Sequence, residues 1–286
     1  VPNRLVTYSA MSTSTPPDWR AANRAHWDER VPLHVASDYY DLEGFRSGTD
    51  ALRDFEVAEI GDVTGKSLLH LQCHIGLDTM SWARDHGAAR VVGLDFSGPA
   101  VEAARELAAE IGLGPERAAF VEADVYDAPS AVPEQAYDIV YTGTGALCWL
   151  PDIEQWARTA ASLVAPGGFL YLAEFHPLTD ILDDQTGTRV VRDYFTRDAH
   201  VSEESGTYAD LEAETVHNRS VEWQHTMGAV VSALAAAGLR LDFLHEHDAS
   251  LYQRFESFER SGDGYYRFPD THARIPLMYS LRAAKP

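Results

Sequence analysis

The chain is poor in cations and in cysteine, and it has no long apolar run. Lysine and arginine number 23 against 44 acids, giving a formal charge of −21. A phosphate backbone is gripped through lysine and arginine, so nucleic-acid substrates are disfavoured. The same acidic surplus opposes docking on anionic membranes. No stretch approaches the roughly 20 apolar residues that a membrane span needs. Cys73 and Cys148 are the two cysteines in 286 residues, too few and too far apart for a disulfide framework or a zinc site. The expected location is cytoplasmic. The first residues, VPNRLVTYSAMSTSTPP, lack an apolar signal core and read as a disordered tail over 1–17, with Met11 as an alternative start.

The chain is also short of glycine where its most informative stretch would need it. Residues 67–79, SLLHLQCHIGLDT, are an apolar strand running through a loop into a helix, and the next strand, RVVGLDFS, closes on Asp95. A strand, a turn that admits a ligand to the backbone, a helix N-terminus and a carboxylate ending the following strand describe a nucleoside-binding βαβ unit. Gly76 is the one glycine of the usual turn, while Gln72 and His74 stand where small residues are expected. An amphipathic helix over 99–112 follows, then AAFVEADVYD, ending its strand at Asp124. YDIVYTGTGALCWL (137–150), the helix DIEQWARTAASLV, an APGG turn and the strand FLYLAEF complete the run.

That order, with acids ending the second and third strands and Pro-Gly-Gly before the fifth, resembles the class I S-adenosylmethionine-dependent methyltransferases over roughly residues 60–176. In LLHLQCHIG, His70 replaces the family's carboxylate, and Gln72 and His74 replace two of its three spaced glycines. This QCH variant resembles that of a bacterial subgroup of small-molecule type. The resemblance implies an α/β, Rossmann-like class I methyltransferase fold: a seven-stranded, mostly parallel sheet with helices on both faces. It also implies S-adenosyl-L-methionine as cofactor and a small-molecule acceptor at oxygen, nitrogen or carbon. The expected organisation is a single domain over 18–286. Helices over 18–34, with Asp18 as cap, and 51–61 form an N-terminal lid (18–60), with Tyr39, Tyr40 and Phe45 in the loop between. Core packing explains such aromatics equally well. Residues 177–225, after the fifth strand, and 247–273 are expected as substrate-covering insertions, with strand-like pieces at VVRDYF and HVSEESGTYAD.

For the cofactor, Asp95 is expected to accept the ribose hydroxyls and Phe96 to cover an adenine face. Asp124 would accept from the adenine amino group, with Val125 offering a backbone N–H; the alternative for Asp124 is a helix-capping acid. Gln72, His74 and Gly76 are expected at the methionine portion, Thr142 and Gly143 at the sulfonium, and Tyr40 in the lid. Strand periodicity puts Glu174 and His176 on one face at the end of the fifth strand. Glu174 would orient His176 as a general base, with His225 a second candidate. A structural histidine bonded to the lid is the alternative. A metal held by His70, His74 and His176 is rejected, because His70 lies inside a strand and no carboxylate stands at helical spacing. Rival readings are a cyclisation or lyase reaction on the same fold, a nicotinamide-dependent oxidoreductase, and a non-catalytic cofactor-binding module.

Overall fold

The computed structural model describes residues 15–286, so Met11 and all but three residues of the expected tail lie outside the described residues. Three helices come first: α1 (Trp19–Val35), α2 (Leu42–Arg46) and α3 (Asp54–Ile60). The alternating core follows as β1 (Ser67–Leu71), α4 (Leu77–Arg84), β2 (Arg90–Asp95), α5 (Gly98–Glu110), β3 (Ala118–Glu122), α6 (Ala128–Ala131), β4 (Tyr137–Thr142), α7 (Ile153–Leu163) and β5 (Val164–Phe175). A hairpin of β6 (His200–Glu203) and β7 (Arg219–Glu222) precedes α8 (Met227–Ala236) and β8 (Arg240–His247). The short pair β9 (Glu259–Arg260) and β10 (Tyr266–Arg267) leads to β11 (Met278–Ala284).

The main sheet has seven strands in the order β3-β2-β1-β4-β5-β11-β8. β1 to β5 pair in parallel and β11 runs antiparallel to both neighbours. This is the expected class I arrangement. Alternate residues of the strands feed two cores. Leu69, Leu71, Val92, Val140 and Leu172 pack with Trp156 of α7 and Val230 of α8. Leu68, Val91, Ile139 and Tyr171 pack with Met80 and Trp82 of α4 and Ala104 of α5. Burial on both faces explains the continuous apolar runs of the central strands. No described helix is long and apolar enough to cross a membrane.

Several local expectations are corrected. Asp18 sits at the N-terminus of α1 but makes no capping bond; its carboxylate lies 3.6 Å from Arg219. The loop expected between the first two helices contains α2, whose N-terminus Asp41 caps through Gly44 N–H. The next helix begins at Asp54 rather than Ala51, where Glu56 reaches back to the Arg53 N–H. β3 stops at Glu122, two residues before Asp124, which caps the following turn instead. VVRDYF is not a strand: Val190, Val191 and Phe195 are exposed and only Val190 bridges, to Leu182. β-branched residues without a partner strand do not make one.

Candidate active site

The carboxyl ends of β1, β2, β4 and β5 meet at one edge of the sheet, where open α/β folds bind ligands. The loop after β1 keeps the backbone of the glycine-rich turn without its glycines: φ is 59° at Gln72, 49° at His74 and 75° at Gly76. Only Gly76 lacks room for a side chain, since a Cβ there would lie 2.5 Å from Phe120. Left-handed backbone at a non-glycine residue costs about 1 kcal/mol or more, so the two side chains are held in place by other contacts. Gln72 donates to Ala146 O of the loop after β4 at 2.8 Å, and its Oε1 is buried without a partner. His74 Nε2 lies 2.8 Å from His34 Nδ1 of α1, and His34 Nε2 lies 2.6 Å from Thr207 of the β6–β7 connection. Burial lowers His34 to about 4 and His74 to about 3, so both rings stay neutral.

Asp95 ends β2 and is buried, its oxygens accepting from His74 N at 2.8 Å and Ser97 N at 2.9 Å. Burial pushes its carboxyl up to about 6 against those donors, and Asp28 of α1 pushes the same way. Asp28 itself accepts from Ser97 Oγ at 2.6 Å, which sets α1 over the end of β2. Phe96, beside Asp95, faces Arg24 of α1 at 5.7 Å. Val125 is buried, while Asp124 accepts from Tyr126 N and pairs with Arg20 at 2.8 Å. The capping alternative for Asp124 is therefore the one observed. Thr142 is fully buried with an unpartnered Oγ1, and a Cβ on Gly143 would approach His70 and Asp78.

The Glu174–His176 pair does not form. Glu174 is a clamp on the loop after β4: Oε2 accepts from Gly145 N at 2.7 Å and Phe175 N at 2.6 Å, and Oε1 from Leu147 N at 2.8 Å. His176 instead takes the Leu178 N–H on Nδ1, and its Nε2 lies 3.2 Å from Glu246, poorly aligned for a hydrogen bond. Shared strand face does not bring the two together, because the loop after β4 claims the carboxylate first. His225 is bonded to Leu150 O at 2.7 Å, again a contact with that loop's backbone. All three candidate catalytic side chains thus hold main chain.

The residues missed from sequence lie on the walls. Arg53, just before α3, pairs with Asp78 in the first turn of α4 at 3.8 Å. Asp78 carried a signal, an acid two residues after Gly76; Arg53 carried none. Tyr208 of the β6–β7 connection touches Tyr40 hydroxyl to hydroxyl and stacks near His34, while Tyr39 lies 5.3 Å away. Neighbouring groups raise the phenols of Tyr40 and Tyr208, chiefly by desolvation, although Tyr40 is half-buried and Tyr208 exposed. On the opposite side, Tyr252 packs on Phe175 at 5.4 Å, and Arg254 pairs with Asp180 at 2.8 Å. Among the described residues no group of three or more His, Cys, Asp or Glu is placed to hold a metal ion.

Residues 68–168 match the family model described as a methyltransferase domain. No curated protein matches the sequence. Many solved structures share the fold. The CcbJ methyltransferase of Streptomyces caelestis is 17% identical, with 92% of this chain and 98% of that one covered at a TM-score of 0.58. An S-adenosylmethionine-dependent methyltransferase of Mesorhizobium loti is 20% identical over 84% and 100% of the two chains, at 0.55. The [4+2]-cyclase SpnF is 17% identical over 95% and 97%, at 0.54. Residues 68–168 thus resemble a methyltransferase domain, and the acid-ended strands, the glycine-like turn after β1 and the antiparallel β11 share the fold of S-adenosylmethionine-dependent methyltransferases.

Proposed function

We propose that the protein transfers a methyl group to a small molecule held in a roofed cleft. The observation carrying this reading is the roof itself. Helix α1 and the β6–β7 connection close over the loop after β1 through the His74–His34–Thr207 chain and the Tyr40–Tyr208 contact. A folded macromolecule presents its acceptor poorly to such a cleft, and the acidic charge of −21 disfavours nucleic acid.

The residues fit the cofactor. Asp95 has lone pairs left for ribose hydroxyls, and Phe96 and Val125 follow β2 and β3, where this reading puts the adenine. The unpartnered Gln72 Oε1 and Thr142 Oγ1 await donors, and such buried orphans cost about 1–3 kcal/mol each until satisfied. Arg53 and Asp78 offer opposite charges to the carboxylate and ammonium of the methionine end. When bound, the cofactor supplies an activated methyl on a sulfonium with a neutral leaving group. The chain's task is then to orient and desolvate the acceptor. Calorimetry with S-adenosylmethionine tests the first half: absence of binding at millimolar ligand would favour a non-catalytic module. Incubation with methyl-labelled cofactor and candidate acceptors tests the second. Label in a product supports transfer, whereas release of methylthioadenosine supports a displacement or cyclisation on the same fold.

A further inference from the structure

At the carboxyl ends of β1 and β4 one small space is walled by polar atoms. His70 of β1 and Tyr141 of β4 are register partners, and their rings meet edge to face at 4.6 Å on the side of the sheet that α4 covers. A Cβ built on Gly143, just past β4, would lie 3.4 Å from His70 Nε2 and 3.7 Å from both Asp78 Oδ2 and the Tyr141 hydroxyl. Those are the three nearest atoms to that point beyond Gly143 and its chain neighbours, and none of them is carbon. Glycine leaves the space open.

The bonds around this space fix what it offers. His70 is 3% exposed; its Nδ1 lies 2.8 Å from Thr79 Oγ1 of α4, and its Nε2 has no hydrogen-bond partner among the described residues. Burial lowers the ring to about 3, so it is neutral and one nitrogen carries a lone pair. The Thr79 hydroxyl can accept from Nδ1–H, which leaves that lone pair on Nε2. Tyr141 spends its proton on Glu56 Oε1 at 2.7 Å, so its oxygen offers lone pairs. Asp78, in the first turn of α4, meets Arg53 through Oδ1 at 3.8 Å and turns Oδ2 to the space. The histidine ending β1 is uncharged, and α4 supplies the negative charge instead.

Three acceptors around one charge complement an ammonium, which has three N–H groups and no lone pair. Resting on the methyl-transfer reading above, we propose that this space binds the ammonium of the cofactor's methionine end, with His70 Nε2, Asp78 Oδ2 and the Tyr141 hydroxyl each accepting one N–H. The ammonium selects the His70 tautomer that Thr79 supports. Arg53, on the other oxygen of Asp78, remains for the carboxylate.

The test uses the full chain and calorimetry at pH 8, where Glu56, pushed up to about 7 by burial, is ionised and holds the Tyr141 proton. Two probes differ in one group: S-adenosylhomocysteine and its desamino analogue, in which hydrogen replaces the ammonium. The wild type is expected to bind S-adenosylhomocysteine at least about tenfold tighter than the analogue. His70→Asn keeps an amide near Thr79 but removes the Nε2 acceptor. It should lose about tenfold for S-adenosylhomocysteine and stay within about twofold for the analogue. His70→Gln, whose amide can reach where Nε2 stood, should retain most of the preference. Asp78→Asn keeps the shape without the charge and should cut the preference by about tenfold or more. That residue is half-buried at a helix start, so it keeps the test open if a change inside β1 does not fold. Equal binding of both probes by the wild type, or an unchanged preference in either folded Asn variant, overturns the inference and leaves the methyltransferase reading standing. Equal losses for both probes in His70→Asn, the mark of a histidine that serves the fold or donates to the carboxylate, overturn it as well. Failure of the wild type to bind S-adenosylhomocysteine overturns the methyltransferase reading itself.

Discussion

Glu174→Gln sets two strong effects against each other at a single buried side chain. Three backbone N–H groups converge on this carboxylate and favour its charge, whereas complete enclosure favours the neutral acid. Burial wins, and the carboxyl is pushed up to about 7 from the 4.5 of an unfolded chain. A group whose proton is held more tightly in the fold contributes stability that is lost as pH rises. Between about pH 4.5 and 7 the wild type therefore gives up about 3 kcal/mol at this site. Glutamine does not titrate. Its oxygen can keep the Gly145 and Phe175 donors, but its amide nitrogen then faces Leu147 N–H, donor against donor, at a cost of about 1–3 kcal/mol. At pH 5 the wild type is protonated and its hydroxyl still accepts from Leu147, so the variant should be less stable by that amount. At pH 8 the wild type has lost its advantage, and the variant should equal or exceed it. Urea unfolding of both proteins at the two pH values reads the difference directly. Glu56 and Asp95 also titrate high, but they do so in both proteins and cancel. A variant harmed more at pH 8 than at pH 5 would show that the three donors outweigh burial, and the reasoning would fail.

Asp95→Asn should weaken S-adenosylmethionine binding by about 1.5–3 kcal/mol through loss of charged hydrogen bonds; equal affinity by calorimetry in a folded variant would remove Asp95 from the ribose. Gln72→Gly relieves a left-handed backbone and should raise thermal stability by roughly 1 kcal/mol. It should also weaken cofactor binding, because the orphaned Oε1 goes with it. Arg30→Met removes a buried guanidinium that bonds the carbonyls of His26, Glu204, Gly206 and His217 and the Thr215 hydroxyl. Loss of about 2–4 kcal/mol in urea unfolding, with faster proteolysis within 204–217, is the expected outcome; intact resistance to protease would mean the β6–β7 connection is held elsewhere.

The strand and helix order was legible because both faces of the sheet are buried, which writes apolar runs such as RVVGL and DIVYT into the chain. The place of Asp95 followed from that order. What the sequence withheld were partners chosen across long separations. Periodicity assigned Glu174 and His176 to one face, but nothing local said that Gly145 and Leu147 would present their N–H groups to one and Glu246 its carboxylate to the other. The five residues of α2 are too few to show a helical period. Gln72 and His74 were read against the glycine-spaced turn as departures from glycine, whereas the backbone keeps glycine's conformation and adds side chains to it.

The grip of Arg30 and Asn23 on residues 204–221 also dictates an order of events. Helix α1 is made well before most of the groups that satisfy its buried arginine and asparagine, which lie 174 to 198 residues downstream. Until those residues are made, α1 has only the His26 carbonyl for its guanidinium and no strand for its amide. The parallel core can assemble first from neighbouring pieces, while the covering helix waits for distant chain, as expected where contacts span long loops. Docking of α1 is therefore among the last steps of folding, and the cleft is built open before it is closed.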